Sequence, residues 1–420
     1  MRVVLDARPL QEPERAPVTA AYLDQLLRAF NRDPLPGESF ALLLRSDLDD
    51  PTAAFAALDI VGRRLLPPTH LLRSAALTID PFVLSGASLG AAWRADAAGA
   101  AGAVYHAAGG SIPLATGLPL VVTLLDLAPW ELPAAYQRTT AARFGQRLRS
   151  RRLRDASAVI VGTEVVASAA RRLLHLPRRR LHVIPFAPRP AFRPATQTGG
   201  GANLGSGRGV DVRAERDRLG LPERYLVYSG RYDARQDLAT LLRALGLLAR
   251  AGRPSGLDDA VHWPPRVLLV GASPADRASL ARAAATVDVG EALAYAPQLA
   301  DERLAALVRA ARAAILPAVS DATAFPALEA IACGTPVVAS AVGALPTVVG
   351  AAGILVEPRD PDRLASALAT IWADDAVHAG LAATARERAT TDDRTWADVA
   401  LETRRVYESA ATQKRPSESV

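Results

Sequence analysis

The sequence runs to 420 residues, half of them hydrophobic and 22% charged, a balance that fits a globular chain of two or three domains and excludes a fibrous or wholly disordered one. Its formal charge of +6 is carried almost wholly by arginine, with Lys414 the sole lysine, a bias that points to coding composition rather than to a nucleic-acid surface. The single cysteine, Cys333, excludes an internal disulfide and a cysteine-rich zinc site, and fits a reducing compartment.

The amino terminus, MRVVLDARPL, has an apolar run too short for a secretory signal core and reads as a first strand. The next segment, RPLQEPERAPVTAAYLDQLLRAF, holds no glycine, which argues against the dinucleotide fingerprint of a nicotinamide or flavin enzyme. Further strands are expected at FALLLRS, AVYHA, LPLVVTLLDLA, SAVIVG and LHVIPFA. The most apolar long window, 82–105, is broken by Arg94 and Asp96 and falls short of the roughly eighteen uninterrupted residues of a membrane span. A cytoplasmic protein is therefore expected. Residues 138–154, RTTAARFGQRLRSRRLR, form a basic helix with no acid in it. Such a helix suits an anionic membrane face, which would make the protein membrane-peripheral, a polyanionic acceptor, or plain solvent. A single aromatic, Phe144, stands among these arginines, which makes no stacking platform for bases, so nucleic acid is not expected as a partner.

Residues 194–213, PATQTGGGANLGSGRGVDVR, are too rich in glycine to pack and read as a linker or surface insertion. Beyond them strands are expected at RYLVYSG, RVLLVGA, EALAYAP, AAILPA, TPVVASAV and GILVEP. Short β-branched runs alternating with helical Ala/Leu/Arg segments predict parallel sheets wrapped by helices. Each half has the strands of one doubly wound domain, and ligands of such domains bind outside the carboxyl ends of the strands.

The segment 320–340, SDATAFPALEAIACGTPVVAS, predicts a loop, then a helix with Pro326 in its first turn and Gly334 at its end. Asp321 is placed on the loop and Glu329 in the first helical turn, where both can face one anionic ligand at the helix start. His106, at the end of a strand, reads either as a substrate contact or as a buried, hydrogen-bonded core histidine. Asp126, at the carboxyl end of another strand, reads either as a loop-holding residue or as a catalytic carboxylate.

Three stretches carry a resemblance: RYLVYSGRYDARQDLATLLRAL, DATAFPALEAIACGTPVVASAVGALPTVVGAAGILVEPRDPDRLASAL and LPLVVTLLDLAPWELP. The chain resembles the family 4 glycosyltransferases, whose GT-B fold is α/β, with two facing Rossmann-like, doubly wound domains of parallel sheet. The resemblance implies an amino-terminal domain over 1–193 and a nucleotide-sugar-binding domain over 214–393, with a helix at 394–412 packing back on the first. It also implies a retaining enzyme that moves a hexose from a nucleoside diphosphate sugar to an acceptor of polysaccharide or glycolipid synthesis, with no cofactor and no metal. Carried over residue by residue, Arg231 matches the arginine on the diphosphate and Glu329 the glutamate on the ribose. Asp321 stands for the carboxylate near the donor sugar.

Other positions depart from the family pattern. Gln236 replaces the diphosphate lysine, and Arg235 beside it is the candidate substitute. Ala322 and Ala324 replace glycines, Leu125 replaces the histidine before Asp126, and Val18 and Ala20 fall where an amino-terminal glycine loop belongs. The departures converge on the donor pocket, so two functions are expected to compete: a glycosyltransferase, and a noncatalytic member that binds a glycan, a nucleotide or a partner enzyme.

Overall fold

A computed structural model describes residues 1–66, 80–87, 90, 102–109, 111–194 and 210–412. The chain forms two compact units, one of residues 1–187 with 394–420, the other of residues 188–393. The expected linker at 194–213 lies, for 195–209, outside the described residues.

Unit 1 holds a sheet of seven strands: β1 (Arg2–Asp6), β2 (Ser39–Arg45), β3 (Ile60–Leu66), β4 (Ala103–Ala108), β5 (Leu120–Thr123), β6 (Ala158–Val161) and β7 (Leu181–Val183). Their order is β3-β2-β1-β4-β5-β6-β7, and all neighbours run parallel. Val3, Val4 and Leu5 are wholly enclosed, as a central parallel strand covered on both faces requires. β3 is not among the strands expected from the sequence, because its middle residues Gly62, Arg63 and Arg64 are exposed and break the apolar run. The long run 118–128 contributes only the four residues of β5, because its later part turns into the loop that carries Asp126.

The last helix, Trp396–Thr412, belongs to unit 1. Its Arg404 is paired with buried Glu38 and lies over the Phe30 ring at 4.7 Å. Trp396 meets Tyr22 edge to face with centroids 5.7 Å apart.

Unit 2 holds six parallel strands: β8 (Leu226–Ser229), β9 (Val267–Val270), β10 (Leu293–Ala296), β11 (Ala313–Leu316), β12 (Val337–Ser340) and β13 (Gly353–Val356). Their order is β10-β9-β8-β11-β12-β13. The helices Leu238–Ala251 and Pro361–Ala373 cover one face, burying Leu241, Leu245, Leu368 and Trp372 against Leu226, Leu269 and Ile315. Unit 2 begins at residue 188 rather than after 193, because Arg309 donates to the carbonyls of Ala191 and Arg193 and so ties that segment to unit 2. Much of the apolar window 82–105 is outside the described residues; among those described, no helix is long and apolar enough to cross a membrane.

Candidate functional site

Unit 2 reverses its winding between β8 and β11, the place where a doubly wound sheet opens a crevice at its carboxyl edge. Two loops leave the sheet there and are stitched to each other. Gln236 and Ala318 form an antiparallel bridge, Val319 N–H donates to Arg235 O at 2.8 Å, and Asp237 N–H donates to Pro317 O at 2.7 Å. The stitching brings Arg231, Arg235, Gln236 and Asp321 to one edge of the sheet.

Asp233 ties the first loop together. It accepts from Arg231 Nε at 2.8 Å and from Arg235 Nε at 3.0 Å, so the two arginines named as phosphate ligands share one carboxylate. Arg231 makes no other side-chain hydrogen bond among the described residues and is 29% exposed, which leaves its outer amino groups able to meet an anion. The Gln236 side-chain oxygen is enclosed and has no hydrogen-bond partner among the described residues. Gln236 also lines a cavity of about 300 Å³ with Tyr232, Asp276, Leu280, Val319 and Arg359.

Asp321 is committed to its own loop. Its Oδ1 accepts from Thr323 N–H at 2.9 Å and Ala324 N–H at 2.7 Å, while its carbonyl accepts from Ala344 N–H at 2.8 Å. Burial pushes its carboxyl pKa up, against the pull of those backbone donors. Ala324 sits at φ +51°, so the position where the family has glycine keeps the left-handed conformation with an alanine in it.

The helix Phe325–Ala332 starts with Pro326 in its first turn. It ends in a Schellman motif at Gly334, where Thr335 N–H reaches Ala330 O and Gly334 N–H reaches Ile331 O. Glu329 lies in the second turn of this helix rather than the first, because the helix begins at Phe325 and its first turn holds no acid. It is 5% exposed.

The partner of Glu329 comes from far along the chain. Arg189 grips it with both sides of its fork, Nε to Oε1 at 2.5 Å and Nη2 to Oε2 at 2.9 Å, while Nη1 reaches Asp301. The same guanidinium lies 4.7 Å above the Phe192 ring. Burial raises the Glu329 pKa, Arg189 lowers it, and Asp301 adds to the rise. Sequence reading missed Arg189 and Asp301. The only available signal was an arginine in PFAPRP, just past the last strand of the first half.

In unit 1, Asp126 follows β5 and its Oδ1 accepts from Ala128 N–H at 2.8 Å, a local turn just ahead of the short helix Ala128–Glu131. Leu125 beside it is 4% exposed and belongs to the core. His106 is not at an accessible strand end. It sits within β4 at 0% exposure, with Nε2 against Thr123 Oγ1 at 2.8 Å and Nδ1 against Tyr407 Oη at 2.7 Å. With both ring nitrogens engaged and its pKa pushed down to about 3 by burial, it is a core histidine, which overturns its reading as a substrate contact.

Residues 15–187 match the family model described as "Glycosyl transferase 4-like domain", and residues 223–374 match "Glycosyl transferases group 1". A D-inositol 3-phosphate glycosyltransferase from a Nocardioides species is 35% identical over 232 residues, 51% of this chain and 48% of that protein. The chain thus spans about half the length of the curated relatives it matches. Among solved structures, sucrose-phosphate synthase from Thermosynechococcus elongatus superposes with a TM-score of 0.70 at 21% identity, covering 97% of this chain and 98% of that one. Anabaena HepE, solved in complex with UDP, superposes with a TM-score of 0.63 at 18% identity, over 98% of this chain and 100% of that one. With two parallel doubly wound units of GT-B type, each matched by its own family model, the chain belongs to the group 1 glycosyl transferases.

Proposed function

We propose that the protein is a retaining glycosyltransferase that moves a hexose from a nucleoside diphosphate sugar to an acceptor hydroxyl. Membership of the family supports this reading, and the observation that carries it is the stitched edge of unit 2, where Arg231, held through Nε alone by Asp233, keeps its outer amino groups able to meet an anion. In this reading Arg231 meets the diphosphate and Arg235 reinforces it in place of the missing lysine. Glu329 takes the ribose through the lone pairs that Arg189 leaves open, and Asp321 lies near the donor sugar. The acceptor oxygen attacks the anomeric carbon as the bond to the diphosphate breaks, and the departing phosphate oxygen takes the acceptor's proton. Asp126 is the candidate carboxylate on the acceptor side.

A second reading, a member that binds nucleotide, glycan or a partner enzyme without transferring sugar, is favoured by one observation: Arg189 already holds both oxygens of Glu329. Thermal melting with UDP, GDP and ADP separates the outcomes. A nucleotide at about a thousand times its Kd should add roughly 4 kcal/mol, and Arg231→Ala or Glu329→Ala should remove that gain. Absence of a shift with all three nucleotides would sink the donor site. A shift with no release of nucleotide from any nucleotide sugar would select the second reading.

The basic helix supports a peripheral membrane contact. On Thr140–Asp155 the side chains of Arg143, Arg147, Arg151 and Arg154 are exposed, and Phe144 among them is 49% exposed. Arginine beside an exposed aromatic ring suits an anionic bilayer surface. Flotation with vesicles containing phosphatidylglycerol should recover the protein at low salt, and Arg147→Glu/Arg151→Glu should release it. Equal recovery with purely zwitterionic vesicles would refute the contact.

A further inference from the structure

The cavity of about 300 Å³ in unit 2 lies between the start of the helix Leu238–Ala251 and the first half of the helix Pro274–Ala285. Of the twelve residues of the second helix only Ala284 is buried, so that helix stands off the sheet and leaves the space open. Asp276, Ser279 and Leu280, three and four positions apart, form the face it turns to the cavity. Arg231, Arg235, Asp321 and Glu329 do not line it, and neither does the helix Phe325–Ala332. Its volume falls at the lower end of pockets that take small molecules, about 300–1,000 Å³.

Four polar side chains on the wall are open to a ligand. The Gln236 amide makes no side-chain hydrogen bond among the described residues, and half a turn of its soft last torsion exchanges oxygen for nitrogen at the wall. Asp276 spends only Oδ2, on Ser273, and leaves Oδ1 unused. The side chains of Ser279 and Arg359, both exposed, make no hydrogen bond or ion pair among the described residues. Arg359 also holds φ at +62°, a conformation that side chains avoid, and such outliers gather at ligand sites.

The charges around the cavity balance. Asp233, Asp237 and Asp276 bring three carboxylates; Arg359 brings one guanidinium, and Arg231 and Arg235, both bound to Asp233, bring two more. The wall therefore favours a neutral ligand over an anion or a cation. Among the described residues no group of three acid, histidine or cysteine side chains is placed to hold a metal ion. What remains is a mixture of donors and acceptors beside apolar surface from Leu280, Val319 and the Tyr232 ring, which is fixed by its Oη donating to Val270 O at 2.9 Å. A sugar ring offers the complement, with hydroxyls that each donate and accept around its rim and C–H groups on its faces.

We propose that this cavity binds a neutral sugar ring, one hexopyranose unit of a carbohydrate chain, at a place separate from the donor edge. Leu280 and the Tyr232 ring meet the C–H face, while Asp276 Oδ1, Gln236, Ser279 and Arg359 meet the hydroxyls. The site does not depend on the proposed transfer reaction, and a noncatalytic member would keep it.

The test is saturation-transfer difference NMR on the full chain with the methyl α-glycosides of D-glucose, D-mannose and D-galactose. At least one should show transfer to its ring protons, with the native protein and with Arg231→Ala alike, and excess UDP or GDP should leave the signal in place. Ser279→Trp, which sets bulk at an exposed position on the wall, should abolish it. Arg359→Gly, which suits the left-handed backbone and keeps the fold, should weaken binding in a titration about ten- to a hundredfold, the loss of one charge-assisted hydrogen bond.

No transfer to any of the three glycosides would overturn the site. So would a signal that nucleotide displaces, one that Arg231→Ala removes, or one undiminished in either cavity variant. The outcomes keep this site apart from the donor reading: a sugar signal without any nucleotide shift in the melts upholds the cavity and removes the donor site, and a nucleotide shift without a sugar signal does the reverse.

Discussion

Removing Arg189 would leave the Glu329 carboxylate enclosed in unit 2 under the repulsion of Asp301. Breaking a buried pair from one side costs about 3–5 kcal/mol, since the remaining charge keeps its desolvation penalty and loses its partner. Arg189→Met should therefore lower unfolding stability by about that amount in urea, and the double variant Arg189→Met/Glu329→Gln should recover most of it. If the single and double variants are equally unstable, the guanidinium acts through its packing on Phe192 and not through Glu329. This pair marks where site reading from sequence runs out. Asp321 and Glu329 are legible because a strand end and a helix show in the pattern, whereas Arg231, Arg235 and Gln236 are found only through the family resemblance. The partner of Glu329 lies 140 positions away, and an ion pair between distant loops leaves no periodic trace. His106 was open to two readings for a related reason: a strand pattern places it, but only the returning helix with Tyr407 shows that its ring is enclosed.

The loop between β11 and the helix Phe325–Ala332 is held by two backbone positions in the left-handed region, one filled by glycine and one by alanine. Gly343, at φ +55°, backs onto Asp321, and a Cβ there would lie 1.8 Å from the Asp321 carbonyl oxygen. Ala324, at φ +51°, bears the conformational penalty of a side chain in that region, about 1–2 kcal/mol. Ala324→Gly should thus stabilise unit 2 by up to about 1 kcal/mol once the added freedom of the unfolded chain is counted against it. Gly343→Ala should destabilise it by more than about 2 kcal/mol, because it adds a backbone clash to the same penalty. Denaturant melts with unchanged m-values measure both, and a stabilising Gly343→Ala would show that the loop is not pinned at Asp321. Elements as such were largely legible, since fully buried parallel strands read as short apolar runs between helical segments. β3 escaped because an edge strand with Gly62, Arg63 and Arg64 in the open has no such run, and β5 was overextended because a buried loop at a strand's end is as apolar as the strand.

Across the whole chain, the polypeptide leaves unit 1 after residue 187 and returns to it at residue 394, so the folding of unit 1 waits for its last segment. The helix Trp396–Thr412 brings Trp396 and Tyr407 to an aromatic cluster with Tyr22, Phe30 and His106, and brings Arg404 to Glu38 with both side chains 4–5% exposed. Unit 2, residues 188–393, takes no part in these contacts. Ending the chain at residue 393 should therefore act on one unit only. Amide protection in β1, β4 and β5 should fall toward that of an open chain, while β8, β11 and β12 keep theirs, as measured by native-state hydrogen exchange. Arg404→Ala should give the same pattern in milder form, since it strands Glu38 without its counter-charge at a cost of about 3–5 kcal/mol. Were protection lost equally from both sheets in the shortened chain, the two units would have to fold as a single cooperative body, and the stability of the edge that carries Arg231 and Asp321 would then depend on the terminal helix as well.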